Sequence, residues 1–136
     1  MVIGCPGSGK SWVCDQVQDQ FRYVRHDLLM GMHGAAYVDE IVRQSGIATA
    51  TKPLLIEAPF SISQIKDPLE RAGFDVQPVY IQEDHEIIRD RYQKREGMPI
   101  PPGHLTRQDT YRQRAIASGD YQGTSSQVLA YLKQIK

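Results

Sequence analysis

Eight consecutive residues near the start of the chain, Gly4-Cys5-Pro6-Gly7-Ser8-Gly9-Lys10-Ser11, have the types and spacing of a phosphate cradle, G-x-x-x-x-G-K-[ST]. The chemistry explains the composition. Glycines admit unusual dihedrals and let backbone N–H groups approach phosphate oxygens. Lys10 reaches the β- and γ-phosphates of a nucleoside triphosphate, and the Ser11 hydroxyl is a ligand for Mg²⁺. ATP and Mg²⁺ are therefore the expected cofactors. A strand before the loop and a helix after it are what the pattern requires, and residues 1–3 and 10–20 read that way.

Phosphoryl transfer to an alcohol also needs a carboxylate to take or orient the hydroxyl proton. Asp27, in Arg25-His26-Asp27, closes the second apolar run and stands where such a group belongs. An aspartate there also suits a helix N-cap, and the residues alone leave both readings open. Glu57 closes the third run, Leu54-Leu55-Ile56. Arg91 and Arg95 are four apart, hence on one helix face. Two guanidinium groups there would clamp the β–γ bridge, where charge develops during transfer. A solvated face paired with Glu86 and Asp90 is the alternative. Between residues 85 and 114 Lys and Arg outnumber Asp and Glu seven to four. The basic charge is thus concentrated where an anion would be met. The proline-rich run Met98-Pro99-Ile100-Pro101-Pro102-Gly103 reads as a stiff loop and as the hinge of a lid.

These residues need a scaffold that brings strand ends to one edge. Strands expected at residues 1–3, 23–27, 54–57 and 76–81 alternate with helices expected at 10–20, 35–44, 61–73, 84–95, 105–117 and 126–135. That alternation predicts one domain over residues 1–136, an α/β fold with a small doubly wound parallel sheet of about four strands. Ligands of such sheets bind beyond the carboxyl ends of the strands. Gly4, Asp27 and Glu57 all fall there.

Composition narrows the class. The chain has 136 residues, 40% hydrophobic and 24% charged, with a formal net charge of zero. That is one ordinary globular domain, and it argues against a nonspecific duplex binder, which needs a basic surplus. Cys5 and Cys14 do not make a disulfide framework, so reduced thiols and a cytoplasmic location are expected. No run approaches the ~20 apolar residues of a membrane span. No partner in a membrane is expected.

The loop and the Trp12 that follows it resemble the kinase domain of the polynucleotide 5′-hydroxyl kinases of bacteriophage nucleic-acid repair. Arg25-His26-Asp27 is similar to that family's strand-end motif, and Leu55-Ile56-Glu57 to its third strand. Residues 91–95, Pro99-Ile100, Leu105 and Tyr111 look like its lid arginines and the helix beyond. The likeness covers most of the first 112 residues, and its loop is the specific part. It implies a P-loop kinase fold with a helical lid, Asp27 as general base, Glu57 holding the acceptor, and a nucleic-acid or nucleotide hydroxyl as acceptor. In small kinases of this kind the loop at residues 123–125 lines the adenine, which makes Thr124 a candidate nucleotide contact. Ser125 or Ser126 capping the last helix is the other reading.

Two departures bear on the acceptor. Where that family has a phosphate-gripping arginine three residues after its general base, this chain has Met30. Where the family has small polar residues after the third-strand acid, this chain has Ala58-Pro59-Phe60. Arg25, Met30, Glu57 and Phe60 are then the candidate acceptor contacts, in a pocket more apolar than the family's. A hydroxymethylated pyrimidine within DNA, the acceptor of related viral kinases, suits such a pocket. A small-molecule kinase sharing only the donor site, or a non-catalytic ATP-binding module, stays open beside it.

Overall fold

In the computed structural model, residues 1–4, 7–24, 36, 39–40, 43, 53–58, 62–71 and 73–135 are described. Five parallel strands lie in the order β2-β3-β1-β4-β5: β1 (Val2–Ile3), β2 (Arg22–Val24), β3 (Leu54–Ala58), β4 (Val79–Ile81) and β5 (Tyr121–Gly123). β1 is central. Val2 registers with Glu57 on one side and Val79 on the other, and Ile3 with Ala58 and Tyr80. Because every pair is parallel, the carboxyl ends of all five strands meet at one edge.

Val2 and Ile3 are fully buried, as strands covered on both faces must be. Their side chains alternate between two cores. Ile3, Ile56 and Tyr80 pack with Leu69 of α2 (Ile62–Arg71) and with Tyr111 and Ala115 of α4 (Pro102–Ser118). Val2, Leu55, Val79 and Ile81 pack with Val13 of α1 (Lys10–Gln16) and with Val128 and Leu132 of α5 (Ser125–Lys133). α1 has seven residues, too few to be stable alone. Its buried Val13 and Cys14 hold it, each apolar side chain of this size contributing roughly 1.5–3 kcal/mol by burial. α3 (His85–Glu96) starts after Asp84 and stops at Gly97, whose φ of 71° is the left-handed cap that glycine favours.

The four expected strands are present, and β5 adds a fifth. The first helix ends at Gln16 rather than 20, since residues 18–20 are polar and exposed and take turns instead. The fourth strand pairs over three residues, not six. The proline-rich loop is shorter than expected: Pro102 and Gly103 belong to α4, with Pro102 as its first residue. A proline is suited to that position, where its missing N–H has no helical partner to lose. α5 begins at Ser125, and its cap is Thr124, not a serine: Thr124 accepts from the Gln127 N–H while the Gln127 side chain accepts from the Thr124 N–H, a capping box. Of the expected helix at 35–44, residues 36, 39, 40 and 43 are described and are helical. Among the described residues no helix is long and apolar enough to cross a membrane.

Candidate active site at the carboxyl edge of the sheet

β1 runs directly into the loop. Gly4 allows the chain to fold back on itself: a Cβ there would lie 2.4 Å from Ser8 Oγ. Gly7 sits at φ 87° with the Ile88 carbonyl oxygen only 3.0 Å from where a Cβ would be, so side chains are barred by both dihedral and space. The loop is therefore pressed against α3. Gly9, Lys10 and Ser11 then lead into α1.

Ser11 and Glu57 are joined. The Ser11 hydroxyl donates to Glu57 Oε1 at 2.8 Å, and the Tyr23 hydroxyl donates to Oε2 at 2.6 Å. Three elements, α1, β2 and β3, thus converge on one carboxylate that is only 6% exposed. Burial, and then the hydrogen bond to Glu57, push the Tyr23 phenol well up from its ordinary range. Tyr23 stays a hydrogen-bond donor at neutral pH. Burial, with the Glu57 charge second, pushes the Cys14 thiol up to about 12. Cys14 is a free cysteine that stays protonated and packs as a core residue.

The two arginines part company. Arg91 Nη1 donates to the Ser8 carbonyl oxygen at 3.1 Å and lies 3.6 Å from Glu83 Oε1. Arg95 turns away, bonding Glu96 at 2.9 Å and lying over the Tyr92 ring at 5.6 Å. We expect Arg91→Ala to lower kcat by about 10²–10³-fold, the usual loss of one preorganised donor, and Arg95→Ala to lower it by less than about 10-fold, since exposed pairs contribute little. Steady-state rates of the two variants check this; equal losses would mean that Arg95 swings inward during turnover.

A cavity of about 290 Å³ opens beside the loop, lined by Gly9, Trp12, Arg91, Ser125 and Ser126. Trp12 is half exposed there. A second cavity, about 310 Å³, lies at the opposite edge among the strand beginnings, lined by Met1, Leu54 and Val76 among others, away from the loop. Thr124 spends its hydroxyl on the α5 cap and is not among the residues lining the first cavity.

Sequence reasoning put Gly4, Gly7, Ser8, Gly9, Lys10, Ser11, Glu57 and Arg91 in one site, and the structure gathers them at one edge. Cys5, Pro6, Arg25, Asp27, Met30 and Phe60 lie outside the described residues. Glu57 is found on the Ser11 hydroxyl, on the loop side of the edge. Sequence reasoning missed Glu83 and Tyr23, and of the loop at residues 123–125 it singled out Thr124 where Ser125 lines the cavity. Glu83 carried a usable signal, since it follows an apolar run as Asp27 and Glu57 do.

The residues present fit ATP and Mg²⁺. Ser8 Oγ and both ends of the Gln82 amide are buried at this edge with no hydrogen-bond partner. Buried polar groups nearly always have one, so such orphans mark where a ligand or ordered water completes the set. No cluster of three or more His, Cys, Asp or Glu suited to a metal exists among the described residues. Mg²⁺ does not need one, because it binds through one or two protein oxygens and substrate phosphates. Ser11 with Glu57 is such a pair. Comparisons of the chain with protein-family models, with curated proteins and with solved structures find no match.

Proposed function

We propose that this protein is an ATP-dependent phosphotransferase that moves the γ-phosphate to a hydroxyl on a nucleic acid or nucleotide. The observation that carries the reading is the bond from Ser11 to the buried Glu57 beside a loop folded tightly enough to require Gly4 and Gly7. A glycine-rich turn with no ligand to hold has no use for a buried carboxylate on its terminal hydroxyl. Under this reading the fold is of the P-loop kinase type, with α3 and residues 97–101 as the lid.

Each residue then has a task. Backbone N–H groups of the loop bind the β-phosphate, and Lys10 neutralises the β- and γ-oxygens. Ser11 and Glu57 would hold Mg²⁺, which supplies charge neutralisation across the β- and γ-phosphates when bound. Arg91 donates to the transferring group from the α3 side. Trp12, Ser125 and Ser126 border the space left for the nucleoside. Asp27, in the segment after β2, is assigned the acceptor's proton. A reduced, buried Cys14 suits a cytoplasmic setting.

The acceptor class is tested by transfer of labelled γ-phosphate across oligonucleotides, duplex DNA bearing hydroxymethylated pyrimidines, mononucleotides and small metabolites. Label on a nucleic acid or nucleotide is the expected result. Label confined to metabolites would make this a small-molecule kinase with the same donor site.

A further inference from the structure

Glu83 lies just past β4 and is 6% exposed. Its backbone is pinned by Gln108 of α4, whose amide donates to the Glu83 carbonyl oxygen at 2.7 Å and accepts from its N–H at 3.3 Å. Its Oε1 accepts from the Ser125 N–H at 2.8 Å and from the Ser125 hydroxyl at 2.7 Å. The same oxygen is 3.6 Å from Arg91 Nη1, the nitrogen that also donates to the Ser8 carbonyl. One carboxylate oxygen therefore ties the start of α5 to the arginine of α3, and through it to the phosphate loop.

A buried carboxylate is costly unless hydrogen-bonded and paired. The first turn of α5 does not require it, because the Thr124–Gln127 capping box already serves that helix. A neutral acceptor would also satisfy Ser125, with weaker bonds. A carboxylate adds favourable negative charge at the start of α5 and attraction for the Arg91 guanidinium. We infer that Glu83 is a positioning residue that sets Arg91 against the loop before the nucleotide arrives. The inference rests on the phosphotransferase reading. Without Glu83, Arg91 keeps its charge but samples other rotamers, and it must be ordered at the moment of binding.

Removing the Glu83 charge also raises the local potential, which favours the more highly charged Mg-ATP over Mg-ADP. That bias raises the ratio of Mg-ATP to Mg-ADP affinity, whereas loss of an ordered Arg91 contact with the terminal phosphate lowers it, so the direction of the change separates the two. The experiment measures both affinities by calorimetry, with thermal melts, for wild type, Glu83→Gln, Arg91→Ala and the double variant. Glu83→Gln retains an oxygen for Ser125 and should fold. It should cut the preference for ATP by about tenfold, the usual coupling of groups in contact, and Arg91→Ala should cut it at least as far, with Lys10 keeping its own contact with the terminal phosphate. In the Arg91→Ala background Glu83→Gln should not lower the ratio further. Ser125→Ala, which frees the carboxylate from one anchor, should act in the same direction at smaller size, and stands in if Glu83→Gln does not fold. A ratio untouched by these changes, or shifted equally with and without Arg91, overturns the positioning role while leaving the enzyme intact. A wild-type protein that binds neither nucleotide overturns the phosphotransferase reading itself, and this inference with it.

Discussion

Lys10→Ala should leave a folded protein that has lost phosphate transfer by about 10²-fold or more, the scale of losing one preorganised electrostatic group. The loss should fall on the chemical step, because charge on the transferring phosphoryl oxygens grows toward the transition state, and a cation placed there gains most at that point. The fold should survive. Lys10 opens α1, but that helix is held by Val13, Cys14 and Val17, all buried in the core it shares with α5. Alanine is also the best helix former. Single-turnover transfer measured beside a thermal melt separates the two effects. Near-normal transfer by a well-folded Lys10→Ala protein would remove the loop from the chemistry.

Glu57→Gln should weaken the Mg²⁺ dependence of ATP binding by about 10–100-fold, the usual effect of disturbing a group that orients a metal ligand. The carboxylate accepts from both Ser11 and Tyr23. An amide has one accepting oxygen and one donating nitrogen, so one of the two hydroxyls must turn from donating to accepting, and neither bond is any longer charge-assisted. Hydrogen bonds to a charged group contribute about 1.5–3 kcal/mol against about 1 for neutral ones, so a modestly lowered melting temperature should accompany the metal defect. Tyr23→Phe leaves the Glu57 carboxylate and its bond from Ser11 in place and should change Mg²⁺ affinity by no more than about fivefold, in line with a net hydrogen-bond contribution near 1 kcal/mol. A magnesium titration of ATP binding in the two variants distinguishes them. If Glu57→Gln instead raises the acceptor KM with Mg²⁺ dependence intact, Glu57 belongs to the acceptor, as the resemblance to polynucleotide kinases implies.

The glycine-rich turn between β1 and α1 could be read directly because its glycines restrict the backbone at fixed spacing over a short run. α3 could be read for a similar reason, its start marked by Asp84 and its stop by Gly97. β5 could not. Tyr121-Gln122-Gly123 shows no apolar alternation, and it is held by pairing with β4 and by the Tyr121 ring stacked on Tyr131 at 4.1 Å. The two arginines of α3 share a face by spacing. Which of them works depends on where Ser8 lies, 83 positions away from Arg91. Glu83 and Glu57 illustrate the same limit. Their partners Ser125 and Ser11 are 42 and 46 positions distant, and only the sheet order brings them together.

Under the proposed function, phosphate transfer by this protein requires that Mg-ATP occupy the loop. Trp12 is the chain's single tryptophan and lines the cavity beside Gly9 and Arg91, so its fluorescence reports occupancy without a label. Titration of the wild-type protein with ATP should give a saturable change that requires Mg²⁺ and is lost or greatly weakened in Lys10→Ala. A folded wild-type protein showing no saturable response up to millimolar Mg-ATP, with calorimetry equally silent, would contradict the account.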